Sequence, residues 1–136
     1  MFGISPPIQT EEIQIVDAKG DPRITLSAKD GTPVITLTGP EKGAMIASVS
    51  PQGFPSVVLQ NPASKGPGAA LELDDKGAHV KFDCPGGGLS YLFLNNGGGS
   101  GVVLIDTKGK RRVEVLVSAD GTATITRYDS DGRPIR

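Results

Sequence analysis

The chain has 136 residues, with 19 Gly, 11 Pro, one His, one Cys, and 14 Lys plus Arg against 15 Asp plus Glu. That length holds one domain. The near-zero net charge supplies no field to hold nucleic acid or an anionic membrane, and no apolar run is long enough to span a bilayer. Glycine and proline at this level invite a disordered reading, but Leu, Ile, Val and Phe fill 35 positions, above the roughly 20% floor below which chains stay disordered.

Residues 1–10 read as an extended N-terminal arm. Phe2, Ile4 and Ile8 are apolar, and Pro6-Pro7 stiffens the segment as polyproline II. Such an arm docks on its own domain, frays, or reaches a neighbouring copy by strand addition. Met1–Pro7 has neither the basic nor the apolar region of a secretory signal. The expectation is a protein made in the cytoplasm that stays inside or is released by another route, including into an extracellular or virion structure.

Residues 11–136 read as a single β-repeat domain. Turn glycines recur about every eleven residues, at Gly20, Gly31, Gly43, Gly53, Gly66, Gly77, Gly87, Gly98, Gly109, Gly121 and Gly132, often as Asp-Gly or Asp-x-Lys-Gly. Aspartate accepts bonds from turn amides, and glycine takes the positive φ of a tight hairpin. Between turns lie short alternating runs such as Ile13-Gln14-Ile15, Ile24-Thr25-Leu26, Val80-Lys81-Phe82 and Val113-Glu114-Val115, the pattern of half-buried strands. No helical period appears. The fold class is therefore all-β, an antiparallel meander of about eleven to twelve short strands. A β-solenoid with two units per coil is the alternative.

The central strands Val57-Val58-Leu59, Leu92-Phe93-Leu94 and Val102-Val103-Leu104-Ile105 are apolar on both faces. They need a second layer, supplied by the chain folding back on itself as a sandwich or barrel, or by another chain. The interface candidates are Phe2, Ile4, Ile8, Val58, Leu92, Leu94, Val102 and Leu104. Two glycine runs, with Gly86, Gly87, Gly88 and Gly97, Gly98, Gly99, replace the Asp-Lys-Gly turns and allow close backbone approach. They lie between strands and open no helix, so they are not phosphate cradles.

No catalytic, cofactor or metal residue emerges. His79 has no partner motif, and His79 with Cys84 falls short of the three or four ligands of a zinc site. Asp129-Ser130-Asp131-Gly132 begins like a calcium loop but lacks the later glutamate, so an Asx turn is expected. Lys108, Lys110, Arg111 and Arg112 are balanced by Asp106 and Glu114, and the few aromatics argue weakly against a stacking platform for bases or sugars.

Arg127-Tyr128-Asp129-Ser130-Asp131-Gly132-Arg133 resembles one YD (RHS) repeat. More broadly, the stretches from Ile13 to Leu37 and from Val102 to Arg136 resemble tandem bacterial repeats of the form strand, Asp-x-x-Gly-x-x-Arg, strand, x-Asp-Gly. The resemblance implies extended β-sheets used as shells, shafts and surface fibres, and it carries no catalytic residue. The expected function is a non-enzymatic structural protein that assembles with copies of itself, as a trimer, fibre or filament, through apolar strand faces and the arm. A β-rich binding module presenting its glycine loops to a ligand or partner protein is the other expectation.

Overall fold

A computed structural model of the chain describes residues 6–135. Among them there is no helix. Twelve strands follow one another: β1 (Glu12–Val16), β2 (Pro22–Ser27), β3 (Val34–Thr38), β4 (Ala44–Val49), β5 (Pro55–Gln60), β6 (Gly68–Leu73), β7 (Gly77–Asp83), β8 (Leu89–Asn95), β9 (Ser100–Ile105), β10 (Arg111–Val117), β11 (Ala123–Tyr128) and β12 (Pro134–Ile135). They form one sheet in sequence order, every pair antiparallel. Each strand touches only its neighbours in the chain. The sheet is thus an open, single-layer meander, neither a solenoid nor a closed barrel, and it does not fold back into a sandwich.

The turns explain this regularity. Eight hairpins share one form, seen at Asp17–Asp21: the first residue donates its N–H to the carbonyl of the fifth, and its own carbonyl accepts from the N–H of the fourth. This is a type I turn followed by a bulge residue in the left-handed region. Glycine fills that fourth place in seven of them, for example Gly20 (φ 87°), Gly109 (φ 74°) and Gly132 (φ 83°). The exception corrects the glycine spacing. In the β3–β4 turn the left-handed residue is Lys42 (φ 65°), not Gly43. Gly66 also departs, since it shows no positive φ and a Cβ there would run into the Asn61 side chain. A left-handed non-glycine residue costs about 1–2 kcal/mol. Lys42→Gly is therefore expected to stabilise the fold by about 1 kcal/mol, read as a higher urea midpoint at unchanged slope.

Register follows from these turns. Ile13, Leu26, Ile35, Ala47, Val57, Leu71, Val80, Leu92, Val102, Val115 and Ile125 are successive cross-strand partners, one from each of β1 to β11. Directly paired residues share a face, so this row forms an unbroken apolar ladder along the sheet. Its members in odd-numbered strands, Ile13, Ile35, Val57, Val80, Val102 and Ile125, are 22 or 23 residues apart. The repeating unit is a hairpin.

Two turns carry an added clamp. Asp17-Ala18-Lys19-Gly20-Asp21-Pro22-Arg23 and Asp106-Thr107-Lys108-Gly109-Lys110-Arg111-Arg112 share the pattern Asp-x-Lys-Gly-x-x-Arg. In each, one carboxylate oxygen takes two turn amides: Lys19 and Asp21 donate to Asp17 Oδ1 at 2.9 and 3.1 Å, and Lys108 and Lys110 to Asp106 Oδ1 at 2.9 Å. The other oxygen holds the arginine, with Nε 2.7 Å away in both. Each arginine sits at a register shift in its strand and donates onward to the next turn at the same end of the sheet, to the Gly39 carbonyl from Arg23 and the Asp129 carbonyl from Arg112. The clamp fastens a hairpin to its successor.

These contacts hold both carboxyls below the usual aspartate range, through Arg23 and then the Lys19 amide at Asp17, and through the Lys110 amide and then Arg112 at Asp106. A depressed folded-state pKa adds stability that is present above the unfolded value and lost as pH falls through the folded one. Stability should therefore be flat from neutral pH down to about 4, the ordinary aspartate value, and decline below it. Asp106→Asn should flatten part of that acid decline in urea melts collected across the range.

Candidate interaction surface

The two faces of the sheet differ in kind. Strand alternation puts Ile15, Leu37, Leu59, Leu73, Phe82, Leu94, Leu104, Val117 and Ile135 on the same face as the central ladder. Apart from Ile8 in the arm and Val16 at the end of β1, every large hydrophobic that stands exposed lies on this face. Leu92 is 54% exposed and Ile125 76%. The opposite face is mixed in composition yet better covered. Among the described residues the three buried ones, Ala70, Val103 and Glu114, all lie there, with Val103 the most enclosed, in the row Val58–Ala70–Lys81–Tyr91–Val103–Glu114. Most large apolar side chains therefore stand exposed, while the small core that exists lies on the mixed face and includes one carboxylate, Glu114.

Total area gives the scale. A folded monomer of 14.0 kDa exposes about 6,700 Å², and this chain exposes 9933 Å². The excess, about 3,200 Å² by that scaling, is comparable with the area buried in obligate assemblies.

The interface candidates divide accordingly. Leu92 and Val102 belong to the ladder, Leu94 and Leu104 flank it, and all four are exposed. Val58 lies on the mixed face, half-buried between Ile46 and Ala70. Sequence alternation cannot tell which of two adjacent valines faces the apolar side until register is known. Ile8 is 83% exposed and edges a groove of about 550 Å³ with Leu26, Ile35, Pro33, Pro55 and Val57 of its own sheet. Phe2 and Ile4 lie outside the described residues.

The glycine runs serve the chain itself. At Gly87 (φ 102°) a Cβ would stand 2.7 Å from the Thr107 carbonyl oxygen, so the β7–β8 and β9–β10 turns approach closely there. Gly98 abuts Ala119, and Gly99 donates its amide to Asn95 Oδ1 at 2.8 Å. Gly88 and Gly97 make looser contacts, and Gly86 meets nothing within 4 Å.

Side-chain chemistry on the mixed face is organised by ion pairs. Glu114 is held by Arg111 and by the Tyr128 hydroxyl at 3.4 Å. Glu72 Oε2 receives both His79 Nε2 at 2.8 Å and Lys81 Nζ at 2.9 Å. Burial raises the Glu72 pKa, but those two partners outweigh it and the carboxyl stays below its ordinary value. Cys84 Sγ contacts the Lys65 carbonyl at 3.3 Å, away from His79. Asp129 Oδ1 accepts the Asp131 and Arg133 amides at 2.8 and 2.9 Å, an Asx turn as the sequence implies. Among the described residues no group of three His, Cys, Asp or Glu could hold a metal ion.

No protein-family model, no curated protein and no solved structure matches the chain.

One feature escaped the sequence reading. The scarce aromatics are partly gathered, with Tyr91 and Phe93 two residues apart on the mixed face of β8 and ring centroids 5.9 Å apart. The alternation Tyr-x-Phe beside a glycine strand was the available signal.

Proposed function

We propose that the protein is a non-enzymatic structural subunit that assembles with copies of itself by burying its apolar face. The observation that carries this reading is the unbroken ladder from Ile13 to Ile125, exposed on a sheet with no second layer among the described residues. Water-exposed apolar area of this extent is stabilised by about 25 cal/mol per Å² when covered. Within the strands, the ladder and its flanking rows hold a single charged residue, Arg127, so the covering surface must itself be largely apolar, and the same face of another copy meets that need. The resemblance to tandem repeats of shafts and fibres points the same way.

Geometry favours three copies. A strand of six residues is about 20 Å long. Three such sheets set as a triangular tube place each backbone about 6 Å from the axis, close to half the ~10 Å spacing of packed sheets. The interior is then filled by the ladder side chains, and the mixed faces point outward.

Light scattering coupled to size exclusion tests this directly. The expected mass is three times 14.0 kDa, or a larger assembly built from that unit. A stable two-copy mass would retain self-association and reject the three-sided tube. A monodisperse 14.0 kDa species at every concentration would reject both.

A further inference from the structure

On the mixed face an open cleft of about 490 Å³ runs along β7 and β8, within the roughly 300–1,000 Å³ of small-molecule sites. Its lining includes the cross-strand pairs His79–Phe93 and Lys81–Tyr91, with Asp74 and Lys76 at the β6–β7 turn and Asn95 at the end of β8.

Three properties define what fits there. The first is an apolar wall: Phe93 and Tyr91 are tilted 42° to each other, and Phe93 lies across Gly101, whose missing side chain makes room for the ring. The second is a charge balance. Lys76 and Lys81 are offset by Asp74, which the Lys76 and Gly77 amides keep ionised, and by Glu72 behind the cleft. The third is a set of preplaced polar tips. Glu72 fixes His79 and Lys81 from one side at 2.8 and 2.9 Å. Among the described residues His79 Nδ1, the Tyr91 hydroxyl and the Lys76 ammonium have no hydrogen-bond partner. Donors and acceptors therefore converge beside an aromatic wall without net charge.

A planar anion has no excess cation to meet in this cleft, and a purely apolar ligand would displace water from the polar tips without replacing its hydrogen bonds. A pyranose ring satisfies both demands. Its C–H face lies on the aromatic wall, and its hydroxyls both donate and accept. We propose that the β7–β8 cleft is a binding site for uncharged hexopyranose units of a glycan. The aromatic and polar side chains that define the cleft, His79, Lys81, Tyr91 and Phe93, lie on the face opposite the apolar ladder, so they remain accessible within the three-sided tube, while Ala78 and Leu94 at the cleft's edge belong to the apolar face. An assembly would present several copies and raise avidity without new contacts.

Saturation-transfer NMR on the full chain, with maltose, cellobiose and lactose each at about 1 mM and a digalacturonate arm, tests the assignment. At least one neutral disaccharide should show transfer, strongest at the protons of one ring face, and digalacturonate should not exceed it. Phe93→Ala should weaken binding at least tenfold. Lys76→Met, in an exposed turn where the fold is not at stake, should weaken it about threefold. Absence of transfer from all three neutral sugars would overturn the site. Stronger binding of digalacturonate, or transfer unchanged in Lys76→Met and in folded Phe93→Ala, would do the same.

Discussion

Leu92→Lys is expected to keep the chain monomeric, blocking the proposed assembly, while leaving the strands intact. Leu92 sits in the ladder between Val80 and Val102, and in the isolated chain it is more than half exposed. A lysine there keeps its ammonium in water in the monomer, and exposed substitutions of this kind stay within about 0.5 kcal/mol. In the proposed assembly the same ammonium would be enclosed by apolar side chains from each copy, at a penalty of several kcal/mol per ion. Self-association should weaken by about a thousandfold or more. Sedimentation should then show a 14.0 kDa species with unchanged strand circular dichroism. Thr124→Lys is the matched control, since Thr124 pairs with Leu116 on the mixed face and is already exposed; it should leave the assembly whole. An undiminished oligomer in Leu92→Lys would remove the ladder from the interface. Dissociation by Thr124→Lys to the same degree would show that the interface does not discriminate between faces.

The sequence carried the local half of this structure well. Asp-x-Lys-Gly turns and alternating runs specify hairpins through short-range hydrogen bonds, so an antiparallel meander of eleven to twelve short strands was legible from turn chemistry, with the solenoid left as the alternative. Lys42 shows the limit of glycine spacing as a guide: turn geometry asks for a left-handed residue at a fixed hydrogen-bonded position, and the chain accepts a strained lysine there with glycine one place later. The Asp-x-x-Gly-x-x-Arg motif was visible, but its bond from Arg23 to Gly39 joins residues 16 apart, a distance the motif does not encode. The candidate surface was only half legible. Leu92, Leu94, Val102 and Leu104 stand out as apolar, while the face taken by Val58 depends on register summed over several turns. Whether the sheet folds back depends on contacts between distant strands, and no local signal reports those.

Gly101→Val is expected to damage the fold severely although it lies away from the apolar face. Gly101 has no positive φ, so its role is room rather than conformation. A Cβ at this position would lie 2.5 Å from the Val115 carbonyl oxygen, 2.6 Å from Leu116 Cδ2 and 3.0 Å from Phe93 Cε1. The first of these neighbours is backbone in β10 and gives way only if β9 and β10 separate. The third can move only by leaving the strand that it covers. Overpacking of this kind costs about 1–3 kcal/mol, and with two added methyl groups and a backbone clash the upper end, about 3 kcal/mol, is expected. That is a large share of a typical 5–15 kcal/mol total. Thermal unfolding should fall by about 10 °C for a chain of this size. Gly86→Ala provides the contrast, because Gly86 has neither a positive φ nor a neighbour within 4 Å of a new Cβ. There the loss of unfolded-state freedom should add about 0.4–1 kcal/mol. If both substitutions left the melting temperature unchanged, the close approach of β9 to β10 beneath Phe93 would not be a constraint on the fold. If Gly101→Val alone melts early, the same glycine that admits the Phe93 ring also sets the wall of the β7–β8 cleft, and stability and binding should be lost together at this position.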